Sequence, residues 1–262
     1  EQTVSEKSMV MKLLPTDPPG GSGFRNDTDS NPLSTVIWDQ YSVLVDLALE
    51  ELFSAKRRKR LEALAGPLPQ SGMTTSAVET LIRNFLPRAY RRTVPEPEIA
   101  AILARLNEGE DLVALLKVEL KAALMSPRFL YRGLMMKRTP GTQQPVDDFE
   151  LAERLSYFLW ADMPDEELFT LAASGKLSEP EIYAEQIERL LDSPKSRNLA
   201  EDFAVQWFSL DEIDHVSNNP PHTIALKSQP VDYLNWLFAE DRPLLELIDS
   251  RTTFANPHTA KY

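Results

Sequence analysis

The sequence predicts an all-α protein of about ten helices in two packed helical modules, with little or no sheet. Apolar residues recur at three- and four-residue steps through most of the chain, and no window alternates with the period of two that strands require. Helix starts also carry their own signature, because Asp147 and Ser178 are each followed three residues later by a glutamate. At 262 residues, the chain is long enough to bury a core without disulfides.

Residues 1–64 are predicted to form a loop lead-in and one amphipathic helix. Residues 15–32 concentrate Pro, Gly, Ser, Asn and Asp, which favour turns, and the apolar stripe that follows ends before Gly66 and Pro67. The basic run at 56–60 is interpreted as a solvated helix end whose cations complement the helix dipole. Nucleic-acid binding through this run is the alternative, and the overall net charge of -12 disfavours it.

Residues 73–138 are predicted to form a helical module of three main segments. Thr75 or Ser76 can cap the first segment, and the second begins at Pro95. Asp111 opens the third, which is apolar over more than half of its circumference and is therefore expected at the centre of the module. Residues 139–145 are rich in Pro, Gly and Gln, so they are predicted to separate this module from the next.

Residues 146–262 are predicted to form an acidic helical module. Gly175 is expected at a helix C-terminus, and residues 217–229 are expected to be a looser stretch before a short helix that starts near Val231. The side chains expected to face inward on three of its helices are Leu151, Leu155, Phe158 and Leu159, then Ile182, Gln186, Ile187, Leu190 and Leu191, then Leu199, Phe203, Gln206, Trp207 and Leu210.

Charge is distributed unevenly along the chain. Residues 1–144 carry a net charge of +2 and residues 145–262 carry -14, which together give the -12 of the whole chain. This asymmetry favours two modules. The acidic one repels phosphate backbones, so nucleic acid is not an expected partner.

Several kinds of chemistry are excluded by residue type or spacing. The chain has no cysteine, which rules out a zinc knuckle, an iron-sulfur cluster, a haem attachment motif and a thiol nucleophile. Residues 27–31 begin like a calcium loop, but Pro32 replaces the required glycine and Trp38 the bidentate carboxylate. The three histidines at 215, 222 and 258 lack metal-ligand spacing. No catalytic residue, metal site or cofactor is therefore predicted, and no membrane span, since no run of 18 apolar residues occurs.

Arginines beside aromatic residues are the strongest candidates for recognition. They lie in two clusters, at the end of the first helix of the 73–138 module and after Ser126-Pro127. The hypothesis is that they dock the first module onto the acidic one through carboxylates, because guanidinium binds carboxylates with two parallel hydrogen bonds. Independent, solvated charges are the open alternative. The five arginines are Arg88, Arg91, Arg92, Arg128 and Arg132.

Several strings resemble a known group of proteins. They are Gly23–Asn26, Phe85–Pro95, Ser126–Arg132, Asp148–Trp160, Met163–Leu168, Gly175–Leu177, Phe203–Trp207, Glu240–Leu245, Thr253–Phe254 and Ala260–Tyr262. Together they resemble planctomycete-type multidomain proteins made of tandem domains of unknown function, over most of residues 13–262.

The resemblance implies an exported protein whose full-length relatives commonly carry c-type cytochrome-like flanking domains. It therefore implies an extracytoplasmic, periplasmic location and partners that are other protein chains or flanking segments, with a c-type cytochrome as a candidate. This chain has no cysteine and lacks the carbohydrate-binding-like insert that many relatives place near residues 65–72. Glu1 in place of methionine indicates a processed or excised piece.

The expected function is a helical scaffold or docking part of an extracytoplasmic, c-type-cytochrome-associated assembly. The alternative is a hydrolytic or oxidative enzyme that acts on polysaccharide, with its site in a cleft between the modules near Arg88, Arg91, Arg128, Trp160 and Trp207. Trp160 and Trp207 are the aromatic residues proposed for that cleft. Substrate, oligomeric state and pathway are not predicted.

Overall fold

The computed structural model describes residues 34–107, 111–131, 146–215 and 219–260. In these ranges the chain forms twelve α-helices and three short 3-10 helices, and no strand occurs there. The predicted all-α class is therefore confirmed. The described residues form two compact units, residues 34–150 and 151–260.

The first unit contains six helices and the start of a seventh. The helix after the predicted linker at 65–72 packs against the helix before it, so the residues on both sides of this linker belong to one unit. The helices are α1 (Thr35–Leu52), α2 (Arg58–Ala65), α3 (Thr75–Tyr90), α4 (Glu96–Asn107), α5 (Leu112–Leu124) and α6 (Pro127–Leu130), and α7 (Asp148–Trp160) begins here.

Helix α5 lies at the centre of the first unit, as its apolar circumference predicts. It contacts α1, α3, α4 and α6, and the side chains of Leu116 and Leu120 are fully buried. Asp111 caps it by accepting a hydrogen bond from the Ala114 amide at 3.0 Å. Burial of several leucines on one helix removes a large apolar area from water, and this makes α5 the main source of hydrophobic stabilisation in the unit.

The basic run at 56–60 begins a helix instead of ending one. The predicted single helix is broken at Ser54, whose hydroxyl donates to the Glu51 carbonyl at 2.7 Å and ends α1. A new helix, α2, starts at Arg58. Because cations at a helix N-terminus oppose the dipole, carboxylates compensate: Arg57 pairs with Glu51 and Arg58 with Glu62, both at 2.9 Å.

The second unit continues α7 and adds five helices. The Asp147 carboxylate caps α7 as predicted, accepting from the Glu150 amide at 2.8 Å. Gly175 has φ 68° where α8 ends, which is the left-handed conformation that glycine adopts without strain. The helices are α8 (Glu166–Ala173), α9 (Pro180–Asp192), α10 (Arg197–Trp207), α11 (Pro220–Ala239) and α12 (Glu246–Asp249).

Two aromatic residues that were expected to face the core lie on the surface instead. Phe158 is 69% exposed and Trp207 is 47% exposed. On α10 the buried positions are the small residues Ala200 and Ala204, which allow a close approach to α11. The inward face is therefore set by the alanines, and the larger ring at 207 lies outside it.

Helix α11 is longer than predicted. The stretch expected to be loose is helical from Pro220, and the helix continues through Pro230 to Ala239. Proline removes one backbone donor inside a helix, so this turn needs outside partners. The side chain of Asn256 supplies one by donating to the Ala225 carbonyl at 3.1 Å. The prediction was wrong here because this support comes from a segment distant in sequence.

Candidate functional site

Arg91 is the most heavily engaged of the predicted docking arginines. It follows α3 in the left-handed conformation, with φ 53°, and it is only 6% exposed. Its Nη2 donates to the carbonyls of Arg128 and Phe129 at 3.2 Å and of Tyr131 at 3.3 Å, and its Nη1 donates to Ala89 at 3.2 Å. Arg91 therefore holds the C-terminal end of α6, whose last carbonyls have no partner within that helix.

Arg128 completes this arrangement from α6. Its Nη1 lies 2.6 Å from Oε1 of Glu98, and its guanidinium carbon lies 4.0 Å from the ring centre of Tyr90. Burial raises the pKa of the Tyr90 hydroxyl above its ordinary value. The ring is therefore neutral at physiological pH, and its face attracts the guanidinium.

Arg92 points to a different element. Its Nη2 lies 3.3 Å from Oδ2 of Asp147, and its guanidinium lies 5.7 Å from the ring centre of Phe149. Both partners belong to the first unit. Arg88 lies in the last turn of α3, and Arg132 lies outside the described residues. The contacts of Arg91, Arg92 and Arg128 are thus within the first unit, and docking onto the acidic module stays a prediction.

Trp160 anchors a polar network within the second unit. It is 4% exposed, and its indole N–H donates to the Leu190 carbonyl at 2.8 Å. Two cations lie near its ring centre, the Arg189 guanidinium at 5.7 Å and the Lys195 ammonium at 5.0 Å. The side-chain amide of Asn198 donates to the Trp160 carbonyl at 2.7 Å. Trp160 therefore fastens the end of α7 to α9 and α10.

Carboxylates hold those two cations in place. Arg189 binds Asp165 through both terminal nitrogens, at 2.7 and 3.2 Å, and Lys195 lies 2.7 Å from Asp162. Burial alone would raise the pKa of Asp165, but hydrogen bonds from Arg189 and from the Leu168 amide leave it below its ordinary value. The hydrogen bond from Lys195 lowers the pKa of Asp162. Both groups are therefore ionised at neutral pH.

Trp207 has a different environment from Trp160. Its ring stacks on Phe208 with centroids 4.7 Å apart and planes at 29°, and the two side chains are 47% and 43% exposed. Phe208 lines an open cleft of about 320 Å³ within the second unit, together with residues from α11 and from the 246–253 segment. The two tryptophans predicted for one cleft therefore have separate roles, one buried in a polar network and one on a surface.

Helix α9 presents a row of carboxylates to solvent. Glu181, Glu185, Glu188 and Asp192 recur at steps of four, three and four residues, and all four are exposed. This spacing places them on one face of the helix. In the described part of the chain, none of the four forms an ion pair. Buried Gln186 and Leu190 lie on the opposite face.

Metal-binding and membrane features were also considered. Among the described residues, no three His, Asp or Glu side chains come together as a metal ion would require. The incomplete calcium loop at 27–31 and the side chain of His215 lie outside what the structure describes. Within the described ranges, no helix is both long and apolar enough to cross a bilayer.

Two protein-family models match the chain. Residues 146–262 match PSD4, a protein of unknown function (DUF1592), and residues 77–133 match PSD5, a protein of unknown function (DUF1595). Both are planctomycete-type families, as the sequence motifs indicated. Searches of curated proteins and of solved structures returned no match. The comparisons thus place two stretches of the chain among domains of unknown function and assign no activity.

Sequence reasoning missed the roles of two groups. The four carbonyl partners of Arg91 carry no signal in the sequence, because a backbone acceptor has no residue type of its own. The acidic face of α9 could have been found, since Glu181, Glu185, Glu188 and Asp192 follow the helical period in the printed sequence.

Proposed function

We propose that the chain is the helical docking part of an extracytoplasmic assembly, and that the acidic face of α9 binds a basic protein, with a c-type cytochrome as the candidate partner. The observation that carries this proposal is the row of four exposed carboxylates without ion pairs in the described part of the chain. Elsewhere, carboxylates such as Asp165 and Glu98 are engaged by nearby arginines. The α9 row is charge left available at the surface.

The dimensions and charge of this face suit a protein partner. At 1.5 Å of rise per residue, positions 181 to 192 span about 16 Å along the helix, the width of a modest contact patch. The surrounding segment, residues 145–262, carries a net charge of -14. Such a field accelerates the encounter with a positively charged protein and suppresses binding to anions.

A c-type cytochrome is proposed as the partner because of the resemblance. Full-length relatives commonly carry c-type cytochrome-like domains beside these modules, whereas this chain has no cysteine to attach a haem. A docking module would bring such a domain, or a separate cytochrome, to the helical scaffold. The proposed extracytoplasmic location has the same basis.

Isothermal titration of the full chain with a lysine-rich c-type cytochrome tests this function. The variant E181Q/E185Q/E188Q/D192N removes the acidic face and should weaken binding about tenfold or more at low salt. A matched control, E201Q/D202N/E240Q/D241N, removes four exposed carboxylates elsewhere in the same unit and should weaken binding much less. Equal losses in the two variants, or no binding by the wild type, would contradict the proposal.

The polysaccharide enzyme has less support. A glycoside hydrolase of the common kind needs two carboxylates across its cleft. The cleft beside Phe208 is lined by one, Glu246, which is held by Arg242 through two contacts of 2.8 Å. Among the residues that line this cleft, the second carboxylate is missing, so the docking function is preferred.

A further inference from the structure

We propose that the cleft beside Phe208 binds a neutral sugar, with the stacked rings of Trp207 and Phe208 as the platform for one pyranose ring. This goes beyond the proposed docking function and uses a different surface of the second unit from the acidic face of α9.

The two rings form a broad apolar surface that is open to solvent. Their centroids are 4.7 Å apart, their planes differ by 29°, and nearly half of each side chain is exposed. Aromatic side chains are usually buried because each carries a large apolar area, so two adjacent exposed rings indicate a binding surface.

The platform is held rigidly before any ligand arrives. The ring of Phe203, which packs against the core of the unit, lies 5.0 Å from the ring of Trp207. The Phe208 amide donates to the Ala204 carbonyl at 3.0 Å, and Ser209 then turns the chain with φ 52°. A preformed platform loses little conformational entropy when a ligand binds.

Polar groups border the cleft next to this platform. Ser250, Thr252 and Thr253 line it with hydroxyl groups, and the ion pair between Glu246 and Arg242 lies at its edge. Its volume of about 320 Å³ is at the lower end of the range for small-molecule sites, roughly 300–1,000 Å³. The site therefore combines one flat apolar wall with hydrogen-bonding groups at its border.

A pyranose ring has the matching chemistry, since one of its faces presents C–H groups and its edge presents hydroxyls. An all-apolar ligand would leave the threonine hydroxyls unpaired. An anionic sugar would be repelled by a segment with a net charge of -14. The observations thus favour a neutral oligosaccharide over a sulfated or uronic one.

The experiment is a titration of the full chain with cellohexaose, xylohexaose and mannohexaose, followed by tryptophan fluorescence and by calorimetry. At least one neutral hexasaccharide should bind with a Kd below about 1 mM. Trp207→Ala should weaken that binding about tenfold, whereas Trp207→Phe, which keeps a ring, should stay within about threefold. Circular dichroism establishes that each variant is folded.

The matched control is Phe158→Ala, because Phe158 is the other highly exposed aromatic residue of this unit and does not line the cleft. It should bind the sugar as the wild type does. The proposal is overturned if no neutral hexasaccharide binds, if Phe158→Ala loses as much affinity as Trp207→Ala, or if a sulfated oligosaccharide binds more tightly than the neutral ones.

Discussion

Arg91 in the first unit and Ala161 in the second adopt the same backbone conformation at the same place in their helices. Arg91 has φ 53° just after α3, and Ala161 has φ 52° just after α7. A left-handed conformation costs a residue other than glycine about 1 kcal/mol. The buried guanidinium of Arg91 offsets this cost through four carbonyl contacts. The exposed methyl group of Ala161 can donate no hydrogen bond.

The difference shows that a strained position is not by itself a functional one. At Arg91, the strain comes with a side chain that ties together two elements nearly forty residues apart in sequence. In the second unit, the anchoring side chain is Trp160, one residue before the strained position. Substitutions at these residues should therefore differ in sign as well as in size.

The largest effect is expected for Arg91→Ala. It leaves several buried carbonyls without a donor and should lower the free energy of unfolding by about 3 kcal/mol. Arg91→Gly should lower it by about 2 kcal/mol, because glycine relieves the backbone strain while the contacts are still lost. Urea unfolding followed by circular dichroism measures both. A variant Arg91→Gly as stable as the wild type would mean that the carbonyl contacts contribute nothing.

Trp160→Phe is expected to have the next largest effect. The phenyl ring fills most of the space, but it cannot donate to the Leu190 carbonyl. The unmade hydrogen bond and the lost volume should cost about 2 kcal/mol, measured in the same urea experiment. Trp207→Phe is the control, and it should be nearly neutral for stability because Trp207 is exposed. Equal losses in the two variants would contradict the separate roles of these tryptophans.

Asp165→Asn should have a smaller effect that depends on pH. Asparagine can still cap α8, but it cannot pair with Arg189, so a loss of about 1 kcal/mol is expected at pH 7. The folded-state pKa of Asp165 is lowered, so its contribution is present above the unfolded pKa of about 3.9 and is lost as pH falls through the folded value.

The stability difference between Asp165→Asn and the wild type should therefore shrink between about pH 5 and pH 2, as urea unfolding at several pH values can measure. The loss caused by Arg91→Ala should persist over that range, because neither a guanidinium nor a backbone carbonyl titrates there. A difference that is constant with pH for Asp165→Asn would show that its carboxylate is not stabilised by Arg189.

Ala161→Gly should have the smallest effect, and it should be stabilising. Glycine adopts the left-handed conformation without strain, so the free energy of unfolding should rise by about 0.5 kcal/mol, after the greater entropy of glycine in the unfolded chain is counted. The thermal unfolding midpoint is the measurement. A lower midpoint would mean that the methyl group of Ala161 contributes packing that its exposure does not suggest.

Local signals in the sequence predicted much of the fold. Asp111 and Asp147 cap helices where expected, and the apolar circumference of α5 placed it correctly at the centre of its unit. These features depend on residues three or four positions apart. The break at Ser54 and the continuity of α11 through Pro230 were not predicted, because they depend on which distant or backbone groups take up hydrogen bonds.

The candidate sites were less predictable for the same reason. The type of Arg91 indicated recognition of a carboxylate, but its partners are carbonyls that only the folded chain brings within reach. Trp207 fits the helical period of an inward face, yet Ala200 and Ala204 determine which side of α10 is buried. The exposed face of α9 could be read from the sequence, since its four carboxylates follow one helical row.

Chemical-shift mapping of the full chain with a lysine-rich c-type cytochrome most directly tests the claim that α9 is the docking surface. The account predicts shifts concentrated at the amides around Glu181, Glu185, Glu188 and Asp192, which fade as salt is raised. Shifts confined to the residues around Arg91 and Arg128, with α9 unchanged, would contradict it.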